Sequence, residues 1–170
     1  VKEQQKAIFQ ILFGLAIAAA VLLLNDKIAE LGNYGYLGVF VISALSSATI
    51  LIPAPGWAVV AAMATILNPV YVGIIAGIGS AIGELTGYMV GDGALDIAGR
   101  KKYEKFLALI KKNDMLAILT FSFLPNPFFD IAGIAAGAAK VPVWKYVLFC
   151  AIGRSLRYVL LAMLTAQFFP

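Results

Sequence analysis

A chain of 170 residues that is 62% hydrophobic and 13% charged, with a mean hydropathy of +0.92, is not a soluble domain, in which charged residues usually make up about a quarter. It reads as one all-α integral membrane domain over 1–170, and the absence of His together with the single Cys150 removes His/Cys metal sites, Ser/His and Cys/His nucleophiles and any intramolecular disulfide. No enzymatic step, cofactor or metal is therefore expected, and the net charge of +4 fits membrane orientation and anionic headgroups better than nucleic acid, for which there is no motif.

The first predicted element is an N-terminal helix over 7–24, apolar but for Gln10 and long enough to span. It runs into "NDKIAE" and not into a small-residue cleavage site, so a retained helix or anchor is expected. No charged residue lies between Glu30 and Glu84. Within that stretch, 35–67 is interrupted by "IPAPGW", where Pro53, Pro55 and Gly56 break helical bonding. Two short apolar arms around a Pro/Gly tip predict a re-entrant hairpin, with two thin spanning helices as the alternative. Such backbone persists at membrane depth only where protein or a wet cavity satisfies it.

A transmembrane helix is predicted over 69–91, with Gly79, Gly83, Gly87 and Gly91 recurring every fourth residue after Gly73 and Gly77. That face suits close approach of another helix. Residues 92–114 form a basic amphipathic connector. Tyr103, Phe106, Leu107 and Ile110 share one face and Arg100, Lys101, Lys102, Lys105, Lys111 and Lys112 supply charge, so a helix lying at the cytoplasmic interface is expected, with a solvated connector as the plainer reading. A second re-entrant hairpin is predicted over 115–139, broken at Pro125, Asn126 and Pro127, and a transmembrane helix over 142–168.

The second half echoes the first. "PNP" at 125–127 follows "PAP" at 53–55 by 72 positions, "AIGR" at 151–154 follows "AIGE" at 81–84 by 70, and "VPVW" answers "NPVY". Three anchors in one order predict an internal duplication of the kind that builds transporters. With Lys2, Lys6, the connector, Lys140 and Lys145 cytoplasmic, only Lys27 among the basic residues is left outside. The first hairpin then enters from outside and the second from inside, an inverted repeat whose tips meet near the midplane.

Four charged residues fall at membrane depth in this arrangement: Glu84, Asp130, Arg154 and Arg157. At about 1.5 Å per residue, Asp130 lies roughly 15 Å and Arg154 roughly 18 Å from their cytoplasmic ends. A lone charge at the bilayer centre costs about 2.5–3.5 kcal/mol on insertion scales, so pairing or hydration is expected. Arg154 and Arg157, three apart on one face, are placed to meet Asp130. Glu84 occupies the position equivalent to Arg154, which suggests a crossed carboxylate and guanidinium arrangement. These groups either lock the two repeats together or, with Asn126, line a wet groove for a zwitterionic or anionic headgroup. Trp57, Tyr71 and Trp144 read as interfacial anchors.

"GSAIGELTGY" (79–88) followed by "LPNPFFDIAGIAAG" (124–137) resembles the DedA superfamily, also called the VTT or SNARE-associated Golgi protein domain, and within it the vacuole membrane protein-like branch. The resemblance covers about residues 35–165 and implies two opposed re-entrant loops and lipid transport. Polyprenyl-phosphate members carry an acidic residue after the first Pro-Gly and two arginines around the second loop proline, where this chain has Trp57, Ser122 and Phe128. Glu84, Asp130 and Asn126 match the family pattern, and Arg154 stands where the branch resembles a Gly-Lys pair.

The leading expectation is an energy-independent phospholipid scramblase with membrane lipids as its partners. A proton- or sodium-coupled translocase for undecaprenyl phosphate and a membrane scaffold are the alternatives. A homo-oligomer is compatible with the sequence. The expected home is the plasma (inner) membrane in a prokaryote or the endoplasmic reticulum in a eukaryote.

Overall fold

The computed structural model describes residues 32–48, 56–89, 91, 104–124 and 129–168, and every regular element among them is a helix. The expected N-terminal helix over 7–24 and the breaker residues Pro53, Pro55, Pro125, Asn126 and Pro127 lie outside the described residues.

Helix α1 (Gly32–Ala48) and helix α2 (Gly56–Ala64) form an antiparallel pair. Gly56 at the start of α2 faces Ser46 near the end of α1, while Gly35 near the start of α1 faces Met63 and Leu67. The chain then turns at Asn68, which caps helix α3 (Pro69–Gly83): its side chain accepts hydrogen bonds from the amides of Val70 at 3.0 Å and Tyr71 at 3.4 Å. Asn at the cap and Pro69 in the first turn are the residue types that start a helix without leaving amides unsatisfied. Glu84 keeps αR geometry, φ −64° and ψ −14°, and its carbonyl accepts from Tyr88 N at 3.2 Å. Helix α4 (Leu85–Met89) therefore continues α3, and Pro69–Met89 is 21 residues of apolar helix, enough to cross a bilayer.

Helix α5 (Glu104–Lys112) places Ile110 in the core and leaves Lys105, Lys111 and Lys112 exposed, while 92–103 and the Phe106 side chain of the expected apolar face lie outside the described residues. It ends earlier than the expected connector, because Asn113 caps helix α6 (Asp114–Phe123) by accepting from Leu116 N at 3.1 Å. Helix α7 (Phe129–Ala138) follows. It stops where Val141 N bonds the carbonyl of Ala136 at 3.1 Å and Lys140 takes a positive φ of 56°, the geometry of a left-handed helix cap. Helix α8 (Val143–Phe168) has 26 residues and is the second element long enough to cross a membrane.

Helices α3 and α8 cross antiparallel at the centre, with Gly73 against Val159 and Gly77 against Ser155. Helix α1 runs parallel to α3, from the Tyr36–Tyr71 edge-to-face ring pair at 6.4 Å to Gly83 beside Ala44 and Ser47. Helix α6 runs parallel to α8 in the same way, from Asp114 beside Lys145 to Gly153 beside Leu119 and Ser122. Since α3 and α8 point oppositely, the starts of α1 and α6 lie at opposite ends of the bundle. The glycines expected to form a single face are divided: Gly73 and Gly77 admit α8, Gly79 and Gly83 admit α1, and Gly91 meets α7.

Two apolar clusters form the core. Val39, Val60, Met63, Val72, Ala76, Tyr158 and Ala162 join α1, α2, α3 and α8. Ala81, Ile110, Ile118, Ala135, Val141, Tyr146 and Cys150 join α3, α5, α6, α7, α8 and the turn after α7.

Candidate functional site: a buried ion pair between two helix pairs

Along α3 the sequence passes from Ala76 in one cluster through Ser80 to Ala81 in the other, and along α8 from Cys150 through Arg154 to Tyr158. Polar side chains thus sit at the seam between the two clusters. There the Arg154 guanidinium forms an ion pair with the Glu84 carboxylate. Its Nη1 donates to Ser80 Oγ at 2.8 Å, and Ser80 Oγ shares a hydrogen bond of 2.5 Å with Ser47 Oγ. Glu84 is 3% and Arg154 8% exposed. A charge buried this far requires partners, and here they are drawn from α1, α3 with its C-terminal cap, and α8.

Spacing explains how these side chains reach one place. Ser80 and Glu84 are four apart on α3, and Tyr146, Cys150, Arg154, Tyr158 and Ala162 recur every fourth residue on α8, so each set shares a face. All five of the latter are buried. Gly83 and Gly153 let the neighbouring helices close in: a Cβ on Gly83 would overlap the Ala44 carbonyl, and one on Gly153 would overlap Ser122. The last turns of α1 and α6 are thereby held against the residues preceding Glu84 and Arg154.

The second carboxylate oxygen of Glu84 faces Gly133 of α7, which also lies beside the Tyr146 hydroxyl. Tyr146 in turn packs on Tyr88, ring centroids 5.0 Å apart. Gly56, the described residue of the first breaker segment, is buried at the start of α2 near Tyr158.

Of the predicted site residues, Glu84 and Arg154 come together. The anticipated crossed arrangement of these equivalent positions is therefore an ion pair between them. Arg157 does not join that pair. Its guanidinium lies 5.7 Å from the centroid of the Tyr158 ring. Asp130 lies in α7, one turn before Gly133, and its side chain, like Asn126, is outside the described residues. Ser47, Ser80 and Tyr146 were not singled out from sequence. Ser80 could have been found from its four-residue spacing to Glu84, and Tyr146 from the period-four stripe through Arg154; an isolated Ser47 gives no such signal. The sequence expectation of water around Glu84 and Arg154 meets, in this conformation, a pair enclosed by protein.

These features define a helical membrane protein whose two long helices, α3 and α8, cross antiparallel at the centre beside a buried charge pair. The VTT domain model matches residues 52–167, more than half of the chain, and the chain belongs to that family, in its vacuole membrane protein-like branch. It is 49% identical over 43 residues to the vacuole membrane protein 1 homolog of Dictyostelium discoideum, covering 25% of this chain and 11% of that protein. To vacuole membrane protein 1 of Homo sapiens it is 30% identical over 105 residues, covering 47% of this chain and 26% of the relative. To vacuole membrane protein KMS1 of Arabidopsis thaliana it is 27% identical over 106 residues, covering 49% and 26%. The chain thus spans about a quarter or less of the length of these curated relatives. No solved structure matches it.

Proposed function

We propose that the protein is a phospholipid scramblase in which α1–α2 and α6–α7 are re-entrant hairpins of an inverted duplication and the Glu84–Arg154 pair is the closed gate between them. The observation that carries this reading is the origin of the pair: one charge from each long helix, at positions that correspond in the sequence repeat, with the inner ends of α1 and α6 packed beside them. A helix pair whose two outer ends lie together, as Gly35 and Leu67 do, suits a segment that enters and leaves the membrane on one side. When the hairpins part, water reaches Glu84 and Arg154. A headgroup then slides past them, past Arg157, and past Asp130 and Asn126 near the second tip, while its acyl chains stay in the bilayer. No covalent step is involved.

Orientation follows the lysines. Lys111, Lys112, Lys140 and Lys145 gather where α5, α6, α7 and α8 meet, and this end faces the cytoplasm under the positive-inside rule. Residence in the endoplasmic reticulum of a eukaryote or the inner membrane of a prokaryote belongs to the same proposal.

The test is reconstitution into liposomes with a fluorescent phospholipid, scored by quenching from outside. Scrambling predicts equilibration of both leaflets without an ion gradient and slower exchange in Asp130→Asn. Transport of undecaprenyl phosphate only under a pH or sodium gradient would replace this reading with a coupled carrier. Movement of no lipid at all would leave a membrane scaffold.

A further inference from the structure

The lysine-rich end of the bundle holds two adjoining cavities that the ion pair does not use. The first, about 360 Å³, lies between the α5–α6 junction and the turn after α7, bordered by Lys111, Lys112, Asn113, Asp114 and Lys140. Its carboxylate, Asp114, is already engaged, by Lys145 at 3.5 Å and by the amide of Met115 at 2.8 Å. Three lysines therefore line a space with a surplus of positive charge. The second cavity, about 400 Å³, is walled by Leu109 of α5 and by Leu116, Ala117 and Phe121 of α6, and it shares Lys112 and Asn113 with the first. From Asn113 to Phe121 it follows α6 for about 12 Å.

Lys140 adds an independent sign. Its φ of 56° is the left-handed conformation that glycine ordinarily occupies at a helix end and that an L side chain adopts at a cost. Glycine would end α7 with less strain, and the lysine that stands there instead adds a third positive charge to the cavity's lining.

We infer that these cavities together hold one anionic phospholipid, its phosphate among Lys111, Lys112 and Lys140 and one acyl chain in the groove between α5 and α6. A cationic pocket opening into an apolar channel matches an amphiphile of that charge. A phosphatidylcholine headgroup would bring a quaternary ammonium to a place whose carboxylate is already paired. The site lies at the membrane boundary, apart from Glu84 and Arg154, and does not depend on lipid being moved across the bilayer.

Native mass spectrometry of the full, delipidated chain with an equimolar mixture of dioleoyl phosphatidic acid and dioleoyl phosphatidylcholine tests it. Preferential retention of the phosphatidic acid is expected. Lys112→Gln and Lys140→Gly should each reduce that preference about fivefold. Lys140→Gly also relieves the backbone, so a lost preference with an unlowered melting temperature assigns the effect to the missing charge. Leu116→Trp should lower retention by filling the groove, Lys105→Gln, outside both cavities, should leave it unchanged, and inorganic phosphate should not displace the lipid. Equal retention of the two lipids would overturn the inference, as would an equal loss in Lys105→Gln. Displacement by inorganic phosphate with Leu116→Trp silent would reduce the site to an ion pocket and overturn it as well.

Discussion

Helices α1–α3 and helices α6–α8 use one packing scheme with opposite charges. In the first unit Gly83 receives the end of α1 at Ala44 and Ser47, and Glu84 follows; in the second Gly153 receives the end of α6 at Leu119 and Ser122, and Arg154 follows. Where the backbones meet, both units need glycine. At the next residue they need different signs, because two like charges facing each other across α3 and α8 could not be buried. The outer ends differ as well: the start of α6 is ringed with lysines, whereas the described residues around Tyr36, Asn68 and Phe168 carry no charge. A scheme shared in the interior and different at the rim places stability in the former and orientation in the latter.

Removing one charge of the inner pair should have the largest effect. Arg154→Met leaves Glu84 buried without its cation and should cost about 3–5 kcal/mol, read as loss of the folded species in detergent thermal unfolding. Glu84→Arg combined with Arg154→Glu tests the likeness of the two units, since corresponding positions should accept the exchange and recover most of that loss. Next in size, Gly83→Ala and Gly153→Ala should each destabilise by about 1–3 kcal/mol by overpacking. The first should be the worse, because its added methyl would overlap the Ala44 carbonyl, whereas the nearest backbone to the second is the Leu119 carbonyl at 2.8 Å and its closest clash is with the Ser122 hydroxyl, which can turn. Replacing the caps by Ala, Asn68 in one unit and Asn113 in the other, should cost about 1 kcal/mol each in the same measurement. The smallest effect has the opposite sign: Lys140→Gly should stabilise by about 0.5–1 kcal/mol as the positive φ becomes unstrained.

Much of this was legible in the chain, for reasons that differ from residue to residue. Glu84 and Arg154 stood out because an ionisable group in an apolar run is costly, and their correspondence followed from "AIGE" and "AIGR". Asp130 was matched to Arg154 by depth and by the shared face of Arg154 and Arg157, and its side chain lies outside the described residues. Depth says how far a residue lies along the bundle normal but not which helices cross there, and it is the α3–α8 crossing that brings Glu84 to Arg154. The glycine pattern gave close packing but not its division among α8, α1 and α7, because the two-residue step from Gly77 to Gly79 turns about 200° around a helix of 3.6 residues per turn, whereas each four-residue step turns only about 40°. The serines were missed for a simpler reason. A hydroxyl in a helix usually bonds its own preceding turn, as Ser122 does to Ile118 at 2.7 Å; the spacing to Glu84 was the one sign that set Ser80 apart, and only three-dimensional contact distinguishes Ser47.

The buried stripe of α8 has an outward counterpart. Leu148, Ile152, Leu156, Leu160 and Leu164 are exposed on the same helix, so between the hydrocarbon tails and the Arg154 guanidinium stands a wall the thickness of one helix, about 10 Å. Electrolyte cannot enter such an insulator. Raising ionic strength should therefore leave the Glu84–Arg154 attraction almost unchanged while weakening the half-exposed contact of Lys145 with Asp114, and the thickness and packing of the surrounding acyl chains become the natural means of adjusting the inner pair.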